Sequence, residues 1–256
     1  VVGKAKSYSL TDRRKNRRKS SRMADFIPFS NPQDLADHAA ARVADLARLG
    51  IAERGAASVI LPGGRTPELF LAALARAPLD WPRISLTLCD ERWVDETSPD
   101  SNAAMVRRTL LTGAAAEASF LPLYNGAASP AAGCRAVEAA IRLLPRPWDA
   151  TILGIGDDGH FASLFPGEPA LVAGLNLAGQ QDCVPARGPA GGPPRLSLTL
   201  ASLARSRHIF IIATGRHKRQ IWEQAACSDP AVLPAAALHR LTGIAVDFLW
   251  CEAERQ

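Results

Sequence analysis

Asp157, Asp158 and His160 fall within four positions of one another, in the segment Gly154-Ile-Gly-Asp-Asp-Gly-His160 that follows the apolar run 150–153. An imidazole beside carboxylates can have its tautomer and basicity set, which a general base near neutral pH requires. Gly154, Gly156 and Gly159 allow the backbone conformations that bring a substrate close to such a loop. The plainer alternative for His160 is a loop histidine hydrogen-bonded for structure. Carboxylate and imidazole also ligate divalent ions, but no further His or Cys stands at ligand spacing, so no metal is expected.

Four other segments carry polar groups where strands give way to helices. In Leu61-Pro-Gly-Gly-Arg-Thr-Pro67, Gly63, Gly64, Arg65 and Thr66 lead into a helix that Pro67 can begin. Free N–H groups and the dipole make such a start an anion site suited to phosphate, the alternative being an ordinary turn capped by Thr66. In Cys89-Asp-Glu-Arg-Trp93, Asp90 and Arg92 follow a strand directly; alone, they read as a solvated strand end with a local Glu91–Arg92 pair. Ser101 and Asn102 stand where they can cap the next helix. In Thr214-Gly-Arg-His-Lys218, Arg216 and Lys218 can reach a second anionic oxygen, and Arg195, ahead of another strand, offers the same choice between ligand and solvent. His38, His208, His217 and His239 lack a glycine turn or adjacent carboxylates and read as structural or surface residues.

The elements that must position these groups alternate along the chain. The pattern predicts a helix over 31–49, capped by Asn31, opened by Pro32 and stopped by Gly50. A strand at 57–61 and a helix at 67–75 follow, then a strand at 84–88 and helices near 102–111 and 131–144. After the strand at 150–153, the Gly/Pro-rich stretch 186–194 reads as an exposed, mobile loop. Leu196, Leu198 and Leu200 alternate like a half-buried strand. Strands at 208–213 and 244–250 flank a helix at 216–226. Strands and helices taking turns argue for an α/β fold, a mostly parallel sheet with helices on both faces.

With 256 residues and 47% hydrophobic composition the chain can bury a full α/β core. Charge interruptions keep every apolar run well short of the roughly 20 residues a membrane span needs. The five cysteines are scattered and odd in number, without C-x-x-C spacing, which points away from a disulfide framework or a zinc site and toward a reducing, cytoplasmic setting. The net charge of +5 is unevenly placed: residues 1–22 hold nine Lys or Arg against Asp12, a local +8 that leaves the rest at −3. That basic leader reads as a disordered extension ahead of Met23, the alternatives being a transit peptide or an arm for nucleic acid or membrane surfaces. Residues 23–256 then form a single domain.

Together, PGGRTP at 62–67, DERWV at 90–94 with SN at 101–102, GIGDDGHFASLFPG at 154–167, RLSLTL at 195–200 and TGRHK at 214–218 resemble the 6-phosphogluconolactonase family, related to glucosamine-6-phosphate deaminases. The resemblance implies a Rossmann-like, three-layer α/β/α domain, a cytoplasmic hydrolase of 6-phospho-D-glucono-1,5-lactone in the pentose phosphate pathway, acting without cofactor or metal. It implies His160 as base, Asp158 orienting it or the water, and Arg92 or loop N–H groups at the oxyanion. Gly63, Gly64, Arg65, Thr66, Asp90, Asn102, Gly156, Gly159, Arg195 and Lys218 would bind the substrate. Partners are then a small sugar-phosphate lactone, no nucleic acid and no membrane, in a monomer or homodimer. Deaminases of this kind carry Phe-Asn-Glu after the loop; Ser163-Leu-Phe-Pro166 here is the lactonase form. Phe161 and Arg65 depart from the Thr and Ser the family often has at those places. The alternatives are an amino-sugar-phosphate deaminase or isomerase on the same fold, and a non-catalytic sugar-phosphate-binding regulator.

Overall fold

A computed structural model describes residues 25–64, 67–188 and 192–252. The basic segment 1–22, Arg65 and Thr66 lie outside the described residues. In chain order the elements are β1 (Asp25–Phe29), α1 (Pro32–Arg54), β2 (Ala57–Leu61), α2 (Glu68–Ala75), β3 (Ile84–Leu88), β4 (Asp90–Arg92), α3 (Asn102–Thr109), β5 (Ser119–Leu121) and α4 (Pro130–Arg142). They continue with β6 (Ala150–Leu153), α5 (Ala170–Leu175), β7 (Cys183–Arg187), β8 (Pro194–Leu198), α6 (Leu200–Leu203), β9 (His208–Thr214), α7 (Arg216–Ala225), α8 (Ala236–His239) and β10 (Ala245–Cys251).

Seven strands form one parallel sheet in the order β1-β10-β9-β6-β2-β3-β5, with helices around it. Every residue of β2 and β6 is buried, as expected of central parallel strands covered on both faces. Their hydroxyls are satisfied internally: Ser58 Oγ donates to the Pro145 carbonyl at 2.7 Å, and the Thr151 and Ser206 hydroxyls lie 2.7 Å apart. From β2 the chain moves outward through β3 to β5, whereas β6 leads through β9 and β10 to β1. The order therefore reverses between β2 and β6, and a crevice opens at their carboxyl ends. A second, antiparallel sheet, β4-β8-β7, stands beside it and brings β4 and β8 to the same end. Helices α4 and α5 pack on β7.

Several expectations need correction. Gly50 does not stop α1, which runs on to Arg54 and ends at Gly55 with φ +78°. The reason is Asp149, fully buried, which accepts from Arg54 Nη2 at 2.7 Å and from Ser58 N–H at 2.9 Å. A Cβ on Gly50 would lie 2.4 Å from that carboxylate, so glycine serves close approach inside the helix. Pro67 caps α2, which begins at Glu68. The stretch 186–194 is not loop throughout: Ala186 and Arg187 end β7 and Pro194 opens its antiparallel partner β8, while 189–191 lie outside the described residues. Leu200 begins α6 after the Thr199 cap and does not extend the strand; β8, central in its sheet, buries Leu196, Ser197 and Leu198 alike. Strand β1, an edge strand that tolerates Pro28, had no counterpart in the sequence pattern.

Candidate active site

The crevice at the switch point is a cleft of about 260 Å³. Gly63 and Gly64 reach it from the end of β2, Asp90 and Arg92 from β4, and Asn102 from the start of α3. Gly156 and His160 come from the loop after β6, Arg195 from β8 and Lys218 from the first turn of α7. Nine of the thirteen residues expected at the site thus line one cleft. Arg65 and Thr66 lie outside the described residues. Asp158 is reached through His160, and Gly159, with φ +76°, turns the loop against Leu233.

The loop after β6 is a compact turn. Gly156 N–H donates to the His160 carbonyl at 2.8 Å, and Gly159 N–H to the Gly156 carbonyl at 3.2 Å. Asp158 Oδ1 lies 2.5 Å from His160 Nδ1 and also accepts from the His160 backbone N–H at 3.1 Å. Burial works against a charge on Asp158, but the His160 contacts and the backbone N–H groups outweigh it and hold the carboxyl below its usual range. An ionised carboxylate only accepts, so Nδ1–H donates and Nε2 keeps its lone pair in the neutral ring. A Cβ on Gly156 would lie 2.0 Å from Nδ1, which makes glycine the residue that fits beneath the ring. Ala162, lining the cleft, has φ +49°, an uncommon conformation for a residue with a side chain.

Asp157, on the same loop, lies 2.8 Å from the Lys218 ammonium of α7 and 3.7 Å from His217, which the sequence pattern set aside. The hydrogen bond from Lys218 holds the Asp157 carboxyl below its ordinary range despite some burial.

Across the cleft, Asn102 ties three elements together. Its Oδ1 accepts from Arg92 Nη1 at 2.9 Å and from Gly64 N–H at 3.2 Å, and its Nδ2 donates to the Asp90 carbonyl at 3.0 Å. A Cβ on Gly63 would lie 2.2 Å from Asn102 Nδ2, so the glycine turn exists to seat this amide. The helix cap is Ser101, whose Oγ accepts from Ala104 N–H at 3.1 Å.

Glu91 is not the solvated half of a Glu–Arg pair. It is fully buried and accepts from the N–H groups of Arg92, Asn102 and Ala103 at 2.7–2.8 Å, which fixes the start of α3. Burial pushes its carboxyl up to about 7, against the pull of those backbone donors.

Asp90 is buried, accepts from Ser163 Oγ at 2.5 Å and faces Arg195 Nη1 at 3.7 Å. Burial draws the Arg195 pKa down, and the Asp90 charge opposes this. Phe165 packs on both sides of the site, its ring centroid 4.1 Å from that of His160 and 5.3 Å from the Arg195 guanidinium carbon. Ser163 and Phe165 were visible in the sequence only as part of the Ser-Leu-Phe-Pro segment.

Among the described residues no helix is long and apolar enough to cross a membrane. Residues 30–247 match the family model described as glucosamine-6-phosphate isomerases/6-phosphogluconolactonase. The chain is 42% identical over 225 residues to a 6-phosphogluconolactonase of Pseudomonas putida, covering 87% of this chain and 91% of that protein. It is 39% identical over 226 residues to one of Caulobacter vibrioides, covering 88% and 96%. A crystal structure of a 6-phosphogluconolactonase from Shewanella baltica superposes with a TM-score of 0.87 at 31% identity, over 90% of this chain and 99% of that one. The chain belongs to the glucosamine-6-phosphate isomerase/6-phosphogluconolactonase family.

Proposed function

We propose that the chain hydrolyses 6-phospho-D-glucono-1,5-lactone to 6-phosphogluconate, with His160 as general base. The observation that carries the mechanism is the 2.5 Å contact between Asp158 Oδ1 and His160 Nδ1 in a cleft that also holds two arginines. The relatives named 6-phosphogluconolactonase, similar over most of their length, support the substrate.

In this mechanism Nε2 of neutral His160 takes a proton from water as its oxygen attacks the lactone carbonyl. Asp158 holds the tautomer and stabilises the imidazolium that forms. Charge developing on the carbonyl oxygen is met by Lys218 and by loop N–H groups. The tetrahedral intermediate then collapses, the ring C–O bond breaks, and the imidazolium protonates the departing ring oxygen as a hydroxyl.

Arg92 belongs with the phosphate in this reading, not with the oxyanion as the sequence suggested, because Asn102 joins it to the Gly64 turn. Arg195, beside Arg92, completes the pair, while Gly63 and Gly64 let the phosphate approach the backbone. Asp90 and Ser163 orient Arg195. Binding the remote phosphate holds the carbonyl over the base. Such an activity belongs in the cytoplasm, where the oxidative pentose phosphate pathway supplies the lactone.

The test is lactone opening above its spontaneous rate, with 6-phosphogluconolactone generated in place, beside ammonia release from glucosamine 6-phosphate. Acceleration of the first without the second supports the lactonase; the reverse would replace it with the deaminase.

A further inference from the structure

The cysteines scatter along the sequence, but the fold brings two of them together. Cys134 on α4 and Cys183 at the start of β7 place their Sγ atoms 2.9 Å apart. Each sulfur also faces the other residue's carbonyl oxygen, Cys134 Sγ to Cys183 O at 3.5 Å and Cys183 Sγ to Cys134 O at 3.7 Å. Carbon atoms in free contact rest at roughly 3.5–4.0 Å, and sulfur is larger, so these thiols are held closer than packing alone would leave them.

Glu138, one turn along α4, lies within ligand reach of both sulfurs. A tetrahedral zinc ion bound at about 2.3 Å to each sulfur would hold them roughly 3.8 Å apart. The observed spacing is well inside that, and Glu138 Oε1 already accepts from Asp182 N–H at 2.8 Å. A direct sulfur–sulfur bond suits the pair better than a metal. Cys134 is half-buried and Cys183 fully buried, so a reagent meets Cys134 first. The Cys183 thiol, donating to the Cys134 sulfur, lowers the Cys134 pKa against burial and the Glu138 charge, which favours Cys134 as the attacking thiolate.

We propose that Cys134 and Cys183 form a reversible disulfide that clamps α4 to β7, in the sheet that carries Arg195 to the active site. With glutathione disulfide as oxidant, the Cys134 thiolate attacks one glutathione sulfur and displaces the other as thiolate, giving a mixed disulfide. Cys183 passes its proton to that thiolate and attacks the Cys134 sulfur. The mixed disulfide breaks, the Cys134–Cys183 bond forms, and a second glutathione leaves as thiolate and is protonated by solvent. The protein dithiol loses two electrons, and one glutathione disulfide becomes two glutathiones.

The experiment equilibrates the full chain in buffers of rising glutathione disulfide to glutathione ratio, quenches in acid, alkylates and maps peptides by mass. The expected product is a Cys134–Cys183 linked peptide pair, two hydrogens lighter than the reduced pair, growing with the ratio and reversed by added glutathione. In Cys183→Ser, Cys134 should stop at the glutathione adduct. Wild-type Cys134 persisting as that adduct would overturn the proposal, as would both cysteines staying alkylated while the exposed Cys227 takes up the oxidant. The wild-type titration needs no variant, so it decides even where Cys183→Ser folds poorly by circular dichroism.

Discussion

Arg92 and Arg195 face one another directly across the antiparallel pairing of β4 and β8. Like charges at directly opposed positions destabilise a sheet, and here Asp90, 3.7 Å from Arg195, offsets part of that repulsion, with smaller help from the Asp100 and Glu91 carboxylates. In the proposed function, a phosphate dianion seated between them would turn that cost into affinity.

Replacing Arg195 should therefore separate phosphate binding from chemistry. For Arg195→Met, kcat/KM for the phosphorylated lactone should fall about 10- to 100-fold, chiefly through KM, the loss of one charge-assisted contact. Hydrolysis of unphosphorylated glucono-1,5-lactone should change little. Equal losses on both substrates, from initial rates, would remove Arg195 from the phosphate site.

Glu91 predicts a pH dependence of stability. Folded, its carboxyl titrates near 7, against an ordinary 4.5. Between those values the native state holds a proton that the unfolded chain has released. The contribution is thus full below about pH 4.5 and is lost as pH rises through about 7, amounting to about 3 kcal/mol at most. Glu91→Gln cannot titrate, so denaturant unfolding between pH 4.5 and 8 should show a shallower fall for the variant. Parallel curves for the two proteins would mean that Glu91 is ionised throughout.

Gly50→Ala should destabilise the fold by about 1–3 kcal/mol, even though alanine is the better helix former by about 1 kcal/mol. The added methyl meets the Asp149 carboxylate, which Arg54 and Ser58 hold in place. An unchanged or higher urea midpoint would show that the carboxylate can yield.

The strands at 57–61, 84–88 and 150–153 were legible to the residue because each is a short, uncharged, mostly apolar or β-branched segment, broken only by Ser or Thr and bounded by polar or turn residues. The glycine loops and their charged neighbours marked the carboxyl ends of those strands, which is where the fold gathers them. What the sequence hid depends on partners distant along the chain. Gly50 reads as a helix stop until Asp149 is known to press on it. Glu91 looks solvated because its partners are backbone N–H groups as far away as Ala103, and amides carry no residue signature. The three-residue β4 and β5 are too short to show a period, and nothing in the spacing of Cys134 and Cys183 announces that α4 lies on β7.

The central claim is that His160, set by Asp158, activates water in this cleft. The direct measurement is the rate of 6-phosphogluconolactone opening, corrected for the spontaneous reaction, for the wild type and His160→Ala at matched folding by circular dichroism. The account predicts clear acceleration by the wild type and a fall in kcat of about 10²- to 10⁴-fold in the variant, with KM little changed. Acceleration that survives in His160→Ala would contradict it.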